Sequence, residues 1–199
     1  MRSIVIGSGI ATIGFYAFAG CTSLTDVTIK EGCQRIPSSS FSGCTSLKQI
    51  YIPSSVTLGS EVFADSGVEV IQIGKSIMSS INTDTGFFMN AKNLKYIICY
   101  ATTPPNLLAM TYGGSLYQGF RNYDSTTPYN GTNFDTNGTG RVYVPRSAIN
   151  AYKTGGRWAT MVSDPSFADY DGDANGRIYA IEDIGTISGH ESDALLVTQ

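Results

Sequence analysis

Near the C-terminus, Asp171-Gly-Asp173-Ala-Asn175-Gly176-Arg177-Ile178-Tyr-Ala-Ile-Glu182 spaces oxygen donors as a hard divalent cation requires. Ca2+ takes roughly six to eight oxygens in a flexible shell. Asp171, Asp173 and Asn175 supply side-chain oxygens at the first, third and fifth positions of the loop. Gly176 permits the sharp turn, Arg177 offers its backbone carbonyl, and Glu182 closes the shell with a carboxylate that can bind through both oxygens. Ca2+ is therefore the expected cofactor, held weakly because the loop is unpaired.

Other chemistry finds less support. Ile4-Val-Ile-Gly7-Ser-Gly9 followed by Asp26 imitates the start of a dinucleotide-binding unit, but Thr12 stands where the third glycine belongs. The helix that would hold the phosphates would also have to run through a Phe-Ala-Gly-Cys phrase. Four cysteines invite a disulfide or metal reading, yet each occupies a position that is apolar or cysteine in a neighbouring repeat, as small core residues do. Reduced, buried thiols are expected. The single histidine, His190, lies in the acidic tail, and no serine elbow or H-E-x-x-H pattern is present. The chain is expected not to be an enzyme, with glycan hydrolysis by two carboxylates that meet only in space as a lesser alternative.

The elements that must position these residues are written twice over. Phe18-Ala-Gly-Cys-Thr-Ser-Leu24-Thr-Asp-Val27-Thr-Ile29 recurs 23 residues later as Phe41-Ser-Gly-Cys-Thr-Ser-Leu47-Lys-Gln-Ile50-Tyr-Ile52. Strand-like pairs start at Ile4, Val27, Ile50, Ile71 and Ile97, and inward apolar residues follow at Phe18, Phe41, Phe63, Phe88 and at Leu24, Leu47, Val68, Leu94. A fixed period of this length predicts stacked units, none of which can bury its apolar face alone. The fold expected from the period is a solenoid, mainly β with short helical turns, of about five stacked turns of 21–26 residues.

The repeated phrase resembles the BspA-like class of leucine-rich repeats, and Ile52-Pro53 matches that family's strand-ending proline. Ala101-Thr-Thr-Pro-Pro105, then Val142-Tyr-Val-Pro145 and Ala151-Tyr-Lys…Trp158, resemble the segment with which the family closes its array, so the resemblance implies a leucine-rich-repeat solenoid with a C-terminal closing strand and short helix. The resemblance implies a secreted or cell-surface protein with an adhesive role. The Asp171–Glu182 spacing is similar in turn to EF-hand and dockerin loops.

Three regions follow: repeats over 1–105, an aromatic-rich insert and closing cap over 106–163, and an acidic tail over 164–199. Residues 1–163 carry 12 basic and 8 acidic side chains, whereas 164–199 carry one and 8, so the charge break supports the second boundary. A net charge of −3 leaves no global basic footprint for nucleic acid. No apolar run reaches the roughly 20 residues of a membrane-spanning helix, so membrane insertion is not expected.

The expected partner is a protein or glycan. Its contacts are sought at outward strand positions (Val5, Thr28, Tyr51, Gln72, Ile98) and in the insert at Tyr112, Tyr117, Tyr123 and Tyr129, where rings with polar handles suit recognition. Met1-Arg-Ser-Ile4 runs into the first repeat with no polar cap, so this end of the stack is expected to meet further repeats or another subunit. Self-association there makes a structural assembly part the alternative function.

Overall fold

The computed structural model describes residues 1–54, 56–75, 91, 93–105, 110–112, 115–117, 141–155, 158 and 178–186. Each Ile/Val-x-Ile phrase forms a four-residue strand: β1 (Ser3–Ile6), β2 (Asp26–Ile29), β4 (Gln49–Ile52), β6 (Val70–Ile73) and β7 (Tyr96–Cys99). Shorter strands β3 (Arg35–Ile36) and β5 (Thr57–Leu58) lie on the return path of successive turns. Alternation sends Val27, Ile29, Ile50 and Ile52 inward and leaves Asp26, Thr28 and Tyr51 exposed.

Pairing is parallel and keeps the repeat in register. Ile4 faces Val27, Ile50 faces Ile71, and Ile71 faces Ile97. A second ladder joins β3 to β5, extended by the bridge from Thr12 to Arg35. A third row of backbone bonds runs along the opposite corner. Phe18 N–H donates to Ser40 O, Phe41 N–H to Val62 O, and Gly43 N–H to Ala64 O.

Inside this frame the apolar residues stack on their counterparts. Phe18, Phe41 and Phe63 form a column, with ring centroids 5.4 and 5.8 Å apart and planes within 11° and 7° of parallel. Leu24, Leu47, Val68 and Leu94 are all buried beside it. Cys33, Cys44 and Cys99 are buried and free, while Cys21 is half-buried and free, as the repeat positions implied. Burial pushes the Cys44 thiol up to about 11, with a smaller contribution from Cys21. Phe88 lies outside the described residues.

In the first three turns the corner bends through a left-handed residue at the same place: Tyr16, Ser39 and Glu61 have φ of 56°, 57° and 53°. A second left-handed position is Gly20, then Gly43, then Asp65 (φ 54°), after which the third turn loses the second of the two residues by which it is shorter. The shortened path brings Gly67 onto the turn below, where a Cβ would meet the Thr45 carbonyl oxygen at 2.0 Å.

The array closes with β10 (Arg141–Val144), which pairs with β7, and then with β11 (Ile178–Ala180), which pairs with β10. Between β7 and β10 the chain forms a hairpin of β8 (Met110–Tyr112) and β9 (Ser115–Tyr117). Helix α1 (Ile149–Thr154) follows β10 and buries Tyr152, whose hydroxyl donates to Ala101 O at 3.0 Å and lies 3.0 Å from Cys99 Sγ. Trp158 packs edge-on against Tyr152 and donates its indole N–H to Pro105 O at 2.8 Å. The segment 164–199 thus contributes a strand to the main sheet through Ile178, which begins β11.

One buried group breaks the pattern. Ser66 stands where Cys21 and Cys44 stand, and its hydroxyl is buried with no hydrogen-bond partner among the described residues. The Cys44 thiol, by contrast, donates to Phe18 O at 3.2 Å. Leaving a hydroxyl buried and unsatisfied costs about 1–3 kcal/mol. Ser66→Ala is therefore expected to raise unfolding stability in urea by about 1 kcal/mol. A loss of stability would show that the hydroxyl makes a bond.

Candidate ligand-binding groove

The outward residues of the sheet form a register row: Val5 beside Thr28, then Tyr51 beside Gln72, Ile98, Tyr143 and Tyr179. The two ends of this row differ in environment. Val5, Thr28 and Tyr51 are exposed, whereas Ile98 and Tyr143 are 0 % exposed and cluster with Val70. Ile98 was expected as an outward contact; it does lie on the outer row, but it is buried in a second apolar cluster that takes in Tyr96, Tyr100, Tyr179, Ile181 and Ile184. The accessible sheet face is therefore its N-terminal half.

Within that half the sheet divides. β1 pairs with β2, and β4 begins a separate five-stranded sheet, so no ladder joins β2 to β4. Pro53 removes one of the bonds that such a ladder would contain. At the same place in other turns, Lys30, Gly74 and Tyr100 each donate a backbone N–H to the preceding strand, at Ile6 O, Ile52 O and Ile73 O. Proline has no N–H to give, so the corresponding bond to Ile29 cannot form. The next N–H, Ser54, is directed instead to Glu31 Oε1 at 3.4 Å.

A groove of about 800 Å3 lies over this division. Its floor carries the outward side chains of β2 and β4, with Tyr51 in the middle, and Gln72 continues it onto β6. The end of the groove is built from one repeat position read three times, Glu31, Ser54 and Lys75, with Tyr100 beside them. Tyr100 donates its hydroxyl to Gln72 Oε1 at 2.9 Å, which fixes both side chains. Burial raises the Tyr51 phenol, with a further contribution from the Glu31 charge; burial also raises Tyr100, with a contribution from Tyr51. These couplings mark Glu31, Tyr51 and Tyr100 as one electrostatic cluster.

Of the ligand contacts expected from sequence, Thr28, Tyr51 and Gln72 line this groove. Tyr112 and Tyr117 lie on the β8–β9 hairpin, where they pair with Ser115 and Met110 and not with each other. Tyr123 and Tyr129 lie outside the described residues. So do Asp171, Asp173, Asn175 and Arg177 of the calcium loop. Glu182 is described: it sits in a 3-10 turn after β11, and both carboxylate oxygens accept from the Arg146 N–H, at 3.3 and 3.0 Å. The adjacent Asp183 pairs with the Arg146 guanidinium. Among the described residues, no group of three or more His, Cys, Asp or Glu gathers to hold a metal.

Sequence reasoning missed Glu31, Gln49, Ser54, Lys75 and Tyr100 as groove residues. Strand alternation identifies Gln49, two residues before Tyr51, and repeat alignment identifies Glu31, Ser54 and Lys75 as equivalents. The signal was present, but it emerges only when outward positions are read in columns across turns.

The architecture and the repeated phrase can now be set against known proteins. Six copies of the BspA type leucine rich repeat region match residues 1–103, just over half of the chain. The chain belongs to the BspA-type leucine-rich repeat family. No curated protein matches it. The matched BspA-type region contains β1 to β7 and therefore all the groove residues named above. Among the described residues, no helix of the BspA-type chain is long and apolar enough to cross a membrane.

Proposed function

We propose that this BspA-type chain is a non-catalytic recognition module, secreted or displayed at a cell surface, that holds a protein or glycan ligand on the outer face of β1, β2 and β4. The observation that carries this reading is the groove centred on Tyr51, set over the division between β2 and β4, strands whose inward residues are committed to the core. Family membership supports a repeat module that binds through its surface. The test is biolayer interferometry of the protein against a panel of extracellular-matrix proteins and glycans. Thr28→Arg, which fills the groove from an exposed position, is expected to abolish the binding found, while Arg35→Glu on the β3–β5 ladder leaves it intact. Equal binding by both variants would move the ligand site off this face.

A second reading, a structural assembly part, is favoured by the other exposed apolar surface. Val5, Phe15 and Tyr16 are each more than 60 % exposed at the β1 end of the stack, and Phe18 is only half-buried where Phe41 is sealed. In this reading that end packs on another subunit. Light-scattering mass across a dilution series is then expected to fall from dimer or larger to monomer, and Phe15→Asp to give monomer throughout. A constant monomer mass for the parent protein removes this reading.

We further propose that Asp171, Asp173, Asn175, Arg177 and Glu182 hold Ca2+. Ligation through Glu182 requires its carboxylate to leave the Arg146 N–H, so metal binding and this clasp compete. Calorimetric titration with Ca2+ is expected to show weak binding that Glu182→Gln reduces by about tenfold or more. Identical isotherms would remove Glu182 from the site.

A further inference from the structure

The lining of the β2–β4 groove discriminates among ligand classes, and the inference here rests on the recognition-face reading above. Tight protein contacts are anchored by large side chains of the partner in apolar pockets. The groove has no such pocket. Its aliphatic lining residues, Val27, Ile29 and Ile50, point into the core and are buried, so that the apolar surface the groove offers is that of the Tyr51 and Tyr100 rings and of the stems of its polar side chains. Nor is the charge suited to a polyanion. Among the described residues, Asp26 and Glu31 face the groove against one cation, Lys75, so that a sulfated or phosphorylated chain would meet net repulsion from them.

What remains is a ring platform flanked by planar polar groups. Tyr51 is 40 % exposed and stands at the centre of the floor. An aromatic face of this kind takes the C–H face of a sugar ring while its hydroxyl stays wet. Gln72 and Tyr100 are held to each other at one side, and Glu31 is held by the Ser54 N–H at the end. Carboxylate and amide oxygens accept from ligand hydroxyls, and amide N–H groups donate to them, a pairing that matches vicinal diols. The volume falls within the roughly 300–1,000 Å3 of small-ligand clefts and admits a short oligosaccharide.

We infer that the groove between β2 and β4 is a binding site for neutral glycan, with Tyr51 as the sugar platform and Glu31, Gln49, Gln72 and Tyr100 as hydroxyl contacts. A repeat face with an open groove binds a chain along its length, so an internal stretch of a polysaccharide fits better than a single terminal sugar.

The experiment is calorimetric titration of the full chain with a soluble β-glucan, a galactomannan and, as the polyanion, heparin, with thermal melts of each variant as the folding control. At least one neutral polymer is expected to bind and heparin is not. Tyr51→Ala is expected to weaken binding about tenfold or more, and Tyr51→Phe, which keeps the ring, to stay within about threefold of the parent. Gln72→Ala is expected to weaken binding without lowering the melting temperature by more than a few degrees. Binding to heparin alone, or neutral binding untouched by Tyr51→Ala, overturns the inference. If neither neutral polymer binds while a matrix protein does and is released by Thr28→Arg, the glycan class falls and the recognition face stands. New reducing ends appearing during titration would support the glycan class and overturn the non-catalytic reading.

Discussion

Every feature of this chain depends on one constraint: a turn of about 23 residues cannot bury its own apolar side chains and must borrow the surface of the next. Phe41 is sealed because Phe18 lies on one of its faces and Phe63 on the other. Leu47 is fully buried although its own turn is shorter than any stable domain. Three backbone ladders hold the borrowed surfaces in register, one through the main strands, one through β3 and β5, and one along the phenylalanine corner. Losing the bond that Pro53 cannot donate is tolerable because the other two ladders still run unbroken across the same pair of turns.

That redundancy links the fold to the groove. In an ordinary sheet, a missing ladder between neighbours exposes backbone and invites slippage. Here turns two and three remain clamped behind the division: Arg35 faces Thr57, and Ser39 N–H donates to Ser60 O. The front opens while the rear stays closed. Glu31 takes the Ser54 N–H, so the proline that interrupts the ladder also sets a carboxylate at the end of the groove. Further along, the outer face is occupied by a second apolar cluster around Ile98 and Tyr143, which leaves the first three turns as the accessible half.

The sequence made the core readable and the corners opaque. Phe18 with Phe41, Leu24 with Leu47, and Ile50 with Ile71 are visible because burial demands the same residue type at the same offset. The family resemblance of Val142-Tyr-Val and Ala151-Tyr-Lys marked β10 and α1, but not β11, which adds a further strand beyond β10 from the segment expected as an acidic tail. Tyr16, Ser39 and Glu61 share a left-handed conformation that none of those residue types favours, so no local signal could announce it. The conformation is imposed by the ladder that Tyr16 N–H makes to Ser38 O, a contact about one full turn away in sequence. The β8–β9 hairpin is hidden for another reason: its turn signal, Gly113-Gly114 between short alternating runs, sits in a stretch whose Tyr-, Gly-, Asn- and Thr-rich composition is that of a loop. The groove was half legible. Tyr51 is conspicuous as an exposed ring, but the missing ladder beside it is not, and the one bond that Pro53 cannot donate acquires meaning only from the neighbour that would have accepted it.

Outward positions of a solenoid are under a different regime from inward ones. Val5, Thr28, Tyr51 and Gln72 share a row with no common chemistry, while the inward row behind them, Ile6, Ile29, Ile52 and Ile73, is isoleucine throughout. Inward residues answer to their stacked neighbours, so a change in one turn is felt in the next. An exposed outward residue such as Thr28 or Tyr51 makes little contribution to stacking and can be replaced without disturbing the register. The diversity of the outer row is therefore what a fixed scaffold with a variable recognition surface requires. The columns at the groove, Glu31 with Ser54 and Lys75, vary in the same way, from acid to hydroxyl to base, across three turns whose cores are nearly interchangeable. Specificity in such a molecule resides in the order in which outward residues are stacked, and a single substitution at Tyr51 changes the ligand surface while leaving the ladder that presents it intact.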